Sequence, residues 1–392
     1  MIDEVRRVAV IGVGHSKFGD RRDVNLKELA FESVKQALND AGVTNRDIPY
    51  VSVGTVGVWY EEPFPAAAIA EYCGLSGAGL VRVEAACASG SAAVYNAYSA
   101  IASGLADTAL VIGVEKMRQV DSLTVVELLG RAGSYLWEFE NFGLTFPAYY
   151  ALYATAYMEK YGATEEDLAL VAVKNHKYGA VNPLAHLQKE ISLEDALSSY
   201  VVAWPLKLYD CSPITDGSAA VVLASEEKVR ELRIETPVWI AGLGYSSERS
   251  TLSYRDGFIG IDASVKASRM AYKMAGITPD AIDVASVHDC FTIAELMAYE
   301  DLGFCKRGEG IKMIREGQTE IGGKIPVNVD GGLKSKGHPI GATGVSMIVE
   351  QTKQLREEAQ PSIRQAPLKN YVALTHNVGG TGHYCYVTVL RR

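Results

Sequence analysis

The sequence predicts an α/β protein made of two similar halves, each a mixed sheet with buried helices, interrupted by a mostly helical insertion. Three observations predict it. Residues 37–53 lie over residues 271–287, with Ala37, Ala41, Gly42, Thr44, Ile48, Ser52 and Val53 meeting identical residues. A second correspondence sets Ala88-Ser-Gly90 against Ala342-Thr-Gly344, each opening a small-residue helix that leads to an apolar strand, at 108–113 and 371–375. The stretch 118–207, rich in Tyr, Leu and Glu, has no counterpart in the second half. Internal similarity of this kind marks a repeated supersecondary unit, and 392 residues suffice for two or three domains at ~100–200 residues each.

The repeated unit reads as strand, helix, glycine stop, turn and buried strand. An apolar run at 8–12 opens the first copy. Asn25 and Glu28 then form a capping-box pattern ahead of an apolar stripe of Leu26, Leu29, Ala30, Val34, Ala37, Leu38 and Ala41, which Gly42 ends. In the second copy the strand is 238–242, the stripe is Ala267, Met270, Ala271, Met274 and Ala275, and the stop is Gly276. Gly12 and Gly14 follow a strand, as in a dinucleotide-binding turn. Lys17 stands where that fingerprint needs its third glycine, and no acidic residue ends a second strand ~20 residues on. A tight turn is the expected use of these glycines. The boundaries that follow are 1–117 plus 208–235 for the first half, 118–207 for the insertion and 236–392 for the second half.

A net charge of −9 disfavours a nucleic-acid or anionic-membrane partner, and no run approaches the ~18 apolar residues of a membrane span. The amino terminus runs into the first strand without the apolar region of a signal peptide, and the last residues carry no targeting tripeptide. The expectation is a cytoplasmic protein. Six cysteines without a C-x-x-C pair or zinc-ligand spacing are expected to be free thiols, with no metal site.

Cys87 lies between a strand and the mouth of a helix, where free amides and the helix dipole favour a thiolate; its sequence alone fits a buried core cysteine equally well. The repeat decides between them, because the mirror segment Lys336-Gly-His-Pro-Ile-Gly-Ala-Thr-Gly344 sets His338 on a glycine- and proline-restricted turn before a helix. Packing of the halves about a pseudo-twofold would bring His338 to Cys87, a minimal activated nucleophile for acyl transfer; a histidine that only caps its helix is the alternative. His288-Asp-Cys-Phe-Thr292 ends the strand at 283–287. There His288 can donate to an oxyanion, Cys290 can move a proton and Asp289 can orient its neighbours, although each can equally be structural. His376-Asn-Val-Gly-Gly-Thr-Gly382, after the last strand, suits an oxyanion hole or a tight turn. Asp216-Gly-Ser-Ala-Ala220 opens a strand beneath the site. Cys73, Cys211, Cys305 and Cys385 read as packing, and His15, His176, His186 and His383 receive no role.

Together Glu84-Ala-Ala-Cys-Ala-Ser-Gly90, Gly113-Val-Glu-Lys-Met117, His288-Asp-Cys-Phe291 and Gly337-His-Pro-Ile-Gly-Ala-Thr-Gly344 resemble the thiolases over essentially the whole chain. Within them the resemblance is to the sterol-carrier-protein-type branch and its archaeal and bacterial acetyl-CoA acetyltransferases. It implies a layered α-β-α-β-α arrangement with a loop domain over the coenzyme A. Cys87 would take the acyl group and His338 would activate it. Most thiolases carry an acid/base cysteine in a C-x-G motif where this chain reads Asn377-Val-Gly379. The role therefore passes to Cys290, as in the branch it resembles. The oxyanion holes would be formed by His288 and His338, and by the amides of Cys87 and Gly379.

The implied reaction is the reversible condensation of two acetyl-CoA to acetoacetyl-CoA and CoA, with no cofactor beyond the thioester substrates and a place in mevalonate and isoprenoid biosynthesis. A homodimer or tetramer is implied, as are a zinc-ribbon/OB-fold protein and hydroxymethylglutaryl-CoA synthase as partners. CoA-contacting residues are not readable, although Lys174 and Lys177 are candidates for phosphate. A degradative thiolase for longer or aromatic chains would keep the site and change the pocket, which Trp137, Phe139, Phe142, Phe146, Tyr149 and Tyr150 would fill or form. A non-catalytic acyl-CoA-binding subunit would not need all four site residues, and a ketoacyl synthase would leave Cys290 idle.

Overall fold

The computed structural model describes residues 5–60 and 62–392. The strands of the first half are β1 (Val8–His15), β2 (Tyr50–Gly54), β3 (Gly79–Val83), β4 (Thr108–Lys116) and β7 (Asp216–Ser225); β5 (Val201–Ala203) and β6 (Leu206–Lys207) form a separate ribbon. The second half supplies β8 (Val238–Ser247), β9 (Val284–Ser286), β10 (Val372–Gly379) and β11 (Tyr384–Arg391). The order β3-β2-β4-β7-β1-β8-β11-β10-β9 runs outward from a seam at β1 and β8 in matching sequence on both sides for four strands, with β3 added at the edge of the first half. The duplication is thus visible as topology. Among the described residues, the pairs Ala9↔Trp239 and Val10↔Val238 join the two sheets into one.

Helices α1 (Leu26–Ala41), α2 (Pro65–Tyr72) and α3 (Ser89–Ala102) belong to the first half. The insertion holds α4 (Ser122–Gly130), α5 (Phe146–Tyr161), α6 (Glu165–Val181) and α7 (Leu193–Ser198), and α8 (Glu226–Glu231) leads out of the first half. The second half adds α9 (Asp262–Ala275), α10 (Thr292–Asp301), α11 (Gly310–Arg315) and α12 (Thr343–Leu355). Side chains of α3 and α12 share one core with both sheets, α1 and α2 pack on the outer face of the first sheet, and α9 and α10 pack with the insertion on the second. This is the α-β-α-β-α layering. Among the described residues, no helix is long and apolar enough to cross a membrane.

The first helix begins and ends as its sequence dictates. Asn25 and Glu28 make the reciprocal capping box, and Gly42 closes the helix in the left-handed conformation, as Gly276 closes α9. Gly12 and Gly14 do not make a turn. They lie inside β1, where a Cβ on either would strike the backbone of α1, at the Ala37 and Ser33 carbonyls. Gly242 and Gly244 do the same in β8 against Ala271 and Ala267 of α9. The paired glycines are a packing device of the repeat, letting a helix lie on its strand. A second correction concerns the 376–382 segment: His376 to Gly379 belong to β10, and one further strand, β11, follows.

The insertion is anchored by a buried polar network. Lys174 on α6 donates to Glu295 on α10, and the same carboxylate accepts from Asn175, Asn328 and Tyr299. Lys174, almost fully buried, is therefore unavailable to a phosphate; Lys177 is exposed and paired with Glu320. Removing one partner of a buried pair strands the other charge. Lys174→Met is expected to lower stability by about 3–5 kcal/mol, read as an earlier urea midpoint, and an unchanged midpoint would refute the network's role.

Candidate active site

Two helix starts meet at the centre of the molecule. At the crossing, Gly90 of α3 faces the 341–345 turn so closely that a Cβ would lie 2.8 Å from the Gly341 carbonyl oxygen, and a Cβ on Gly344 would strike Ser91. No side chain separates the helices there. Cys87, two residues before α3, and His338, five residues before α12, are brought to one cavity of about 200 Å³. Its walls are apolar, with Met117, Val125, Leu129, Phe146, Phe291 and Ile340 among them.

The turn at Cys87 is set by Ala86 in the left-handed region (φ 50°) and by Ser89, whose Oγ donates to the Ala86 carbonyl and accepts from the Ala85 amide. This conformation overturns the expected thiolate. The amides at the helix mouth are already used, since Ala88 donates to the Ala85 carbonyl and Ser89 to the Ala86 carbonyl. The amides left to face the sulfur are those of Cys87 itself and Gly380. Burial dominates and pushes the Cys87 thiol up to about 12. Gly379, expected to supply the second amide, is the last residue of β10, and the amide that faces the Cys87 sulfur is that of Gly380, one residue later.

Hydrogen bonds sort the two imidazoles. Thr343 Oγ1 donates to the Pro339 carbonyl (3.0 Å), so it accepts from His338 Nδ1–H (2.7 Å), leaving His338 Nε2 as a bare lone pair. Asn377 Nδ2 donates to the Cys87 carbonyl (3.1 Å), which fixes the orientation of its amide, and faces His288 Nδ1 at 3.2 Å. His288 Nδ1 is thus an acceptor and its proton sits on Nε2. Both Nε2 atoms are buried without a partner, and the rings meet edge to face at 5.0 Å. Burial lowers both pKa values, that of His338 to about 3. One ring offers a base and the other an N–H donor, and neither is charged.

Cys87, His288 and His338 each offer a ligand atom within 4.8 Å of the others, a spacing that suits a soft cation. As hydrogen-bonded here, however, His288 turns an N–H toward that point, so two lone-pair ligands face it rather than three.

Cys290 is buried in the second-half core, with Cys87 and the Tyr150 hydroxyl as neighbours of its thiol. Burial and the proximity of Cys87 push its thiol well above the ordinary range, against which the Tyr150 hydroxyl and the Phe291 amide act. Asp289 does orient its surroundings: it accepts from Asn175 and from the amides of Leu333 (2.7 Å) and Lys334 (3.2 Å), holding the segment that leads to His338. Of the bulky residues in the insertion, Phe146 lines the cavity, Tyr149 and Tyr150 are buried, and Trp137 and Phe142 are exposed at 64% and 74%. Cys211 also lines the cavity rather than only filling the core. The residues that local reading missed are Thr343, whose role depends on its own bond to the Pro339 carbonyl, and Gly380 and the amide of Asn377, whose partner Cys87 lies far along the chain.

Comparison with known proteins accords with this geometry. Residues 8–227 match the thiolase N-terminal domain model and residues 244–392 the thiolase C-terminal domain-like model. The acetyl-CoA acetyltransferase of Methanothermobacter thermautotrophicus is 42% identical over 99% of this chain and 100% of its own. Benzoylsuccinyl-CoA thiolase subunit BbsB of Thauera aromatica is 37% identical over 96% of this chain and 95% of its own. Among solved structures, the Ltp2-ChsH2(DUF35) aldolase superposes with a TM-score of 0.85 at 28% identity, over 100% of this chain and 99% of that one. A duplicated layered fold, a Cys–His pair where its halves meet and full-length matches in both halves lead to one conclusion: the chain belongs to the thiolase family.

Proposed function

We propose that the protein is an acetyl-CoA C-acetyltransferase that joins two acetyl-CoA into acetoacetyl-CoA and CoA, reversibly, through an acetyl group on Cys87. The observation that carries this reading is the neutral Cys87–His338 pair facing a small apolar cavity, and the identity to a named acetyl-CoA acetyltransferase supports it.

In the first half-reaction the Cys87 proton passes to His338 Nε2 as the sulfur attacks the acetyl carbon. The amides of Cys87 and Gly380 hold the oxyanion. The departing CoA sulfur takes the proton of Cys290, leaving a Cys290 thiolate beside a protonated His338. The second acetyl-CoA turns its carbonyl oxygen to the N–H groups of His288 and His338. Cys290 then removes an α-proton and the carbanion attacks the acetyl group. Cys87 leaves as a thiolate and recovers its proton from His338.

The sign of the pH dependence follows. His338, with its pKa near 3, is neutral above that value, and Cys87, near 12, is neutral below that value. The burst of CoA release is therefore expected to be flat from about pH 5 to 9 and to fall only as His338 protonates in acid. A sigmoid centred near the ordinary imidazole value of about 6.5 would contradict the neutral pair.

Intact-mass measurement after mixing with acetyl-CoA tests the reading: an acetyl adduct is expected on Cys87, and its absence would favour a non-catalytic acyl-CoA-binding subunit. A thiolysis panel of chain lengths then separates acetyl transfer from a degradative role on longer or aromatic chains, the alternative that the identity to a benzoylsuccinyl-CoA thiolase subunit supports. Strand β3 ends the sheet with one free edge and half-exposed side chains. Such an edge supports pairing with a second copy in a homodimer, of which a tetramer would be two. The Ltp2-ChsH2(DUF35) aldolase, a two-protein assembly by its name, supports a protein partner here too, with a zinc-ribbon/OB-fold protein and hydroxymethylglutaryl-CoA synthase as candidates. A cytoplasmic location and entry of the product into isoprenoid synthesis complete the reading.

A further inference from the structure

We propose that Tyr150, contributed by the inserted helix α5, is a positioning residue whose hydroxyl alternates between the Gly380 carbonyl and the sulfur of Cys290, holding the second thiolate while it waits for its proton. The proposal rests on the acetyl-transfer reading above. Tyr150 is fully buried, its ring stacked on Phe291 at 4.6 Å and 29°, and Phe146 packs against both rings. Stacking on the residue next to Cys290 leaves the phenol little freedom except rotation of its O–H.

Two acceptors lie within reach of that single hydrogen. The Gly380 carbonyl is 3.3 Å from the hydroxyl, and the Cys290 sulfur is its other neighbour. A carbonyl can only accept. While Cys290 is a thiol, the phenol donates to Gly380 and receives the S–H; once Cys290 has given its proton to the departing CoA, the phenol turns and donates to the sulfur. No covalent bond or redox state changes. One proton position moves with the protonation of Cys290.

The anchor at Gly380 adds a second consequence. Gly380 also directs its amide at the Cys87 sulfur, while Tyr153, one turn further along α5, donates to the Thr381 carbonyl at 3.1 Å. The insertion therefore grips the glycine turn at two successive residues, and only Tyr150 touches Cys290 as well.

Tyr150→Phe keeps the ring and removes the hydroxyl. Acetylation of Cys87, followed by intact mass and CoA burst, is expected to fall by less than condensation does, since the Cys290 thiolate forms as CoA leaves but must then persist until the second acetyl-CoA gives up its proton. Condensation is expected to fall on the order of 10²-fold, the scale of an acid–base contribution. A hydrogen bond donated to a thiolate favours ionisation, so its loss raises the Cys290 pKa and moves the rising limb of condensation against pH to higher pH. Tyr153→Phe, which loosens the same turn without touching Cys290, is expected to lower the rate without moving that limb. An unmoved limb in Tyr150→Phe, equal loss in both half-reactions, or the same limb shift in Tyr153→Phe would overturn the proposal. Should Tyr150→Phe fail to fold, Tyr150→Trp and Tyr150→His, judged on the same limb, replace it, with rescue expected only from the imidazole. Failure of wild type to acetylate Cys87 would overturn the functional reading instead.

Discussion

Cys87→Ala is expected to abolish acetyl transfer, with turnover down on the order of 10⁴-fold or more, because no other group of the cavity can take its place. The alternatives fail on geometry. Cys290 has its sulfur beside the Tyr150 hydroxyl rather than a base, and Cys211, which lines the cavity, has its sulfur turned to the Lys207 carbonyl at 3.4 Å and is not joined to a base. Intact protein mixed with acetyl-CoA should show no adduct. Binding should survive, since the variant removes one small atom from an apolar wall, and a fluorescence or calorimetric titration with CoA would separate lost chemistry from lost capture. An adduct that persists on another residue would show that the nucleophile has been misassigned. Cys87→Ser makes the sharper comparison. It keeps an oxygen at the same point, but the far more basic alkoxide gives a neutral imidazole little driving force to remove the proton.

The second large effect is structural. Gly344→Val is expected to destabilise the protein by about 1–3 kcal/mol or more through overpacking, and to remove activity even where the chain stays folded. A Cβ at 344 would collide with the amide and hydroxyl of Ser91 and with the Asn377 side chain. The first collision drives α12 from α3. The second displaces the amide that fixes the His288 tautomer and pairs with the Cys87 carbonyl. Gly257→Ala is the control, because nothing stands within 4 Å of a Cβ there. Equal urea midpoints for the two variants would dismiss the crossing as a determinant of the site.

Much of this arrangement was legible in the sequence, for a physical reason. A duplicated unit repeats its stop signals, and Gly42 and Gly276 end corresponding helices with the same left-handed residue. Cys87 and His338 stood out because each occupies a constrained turn before a small-residue helix, and small residues are what a close helix crossing requires. The charge state of Cys87 was not legible. It depends on the Ala85 and Ala86 carbonyls consuming the helix-mouth amides, and on Gly380 arriving from nearly three hundred residues later. Gly12 and Gly14 were misread for a related reason. A glycine beside a strand looks the same whether it bends the chain or lets a helix approach, and the helix it meets lies further along. Lys174 shows the same limit: its partner Glu295 is in the second half, out of view of the local sequence that left it among the candidates for phosphate.

The uncharged resting pair has one more consequence. Added salt screens interactions between exposed ions over about 10 Å at 0.1 M, and it finds no ion to act on at a buried thiol facing a buried imidazole. The acetylation step itself should be indifferent to ionic strength once the thioester is bound. Any dependence of turnover on salt then reports events at the rim, where the phosphates of coenzyme A first meet a protein whose overall charge has the same sign as their own.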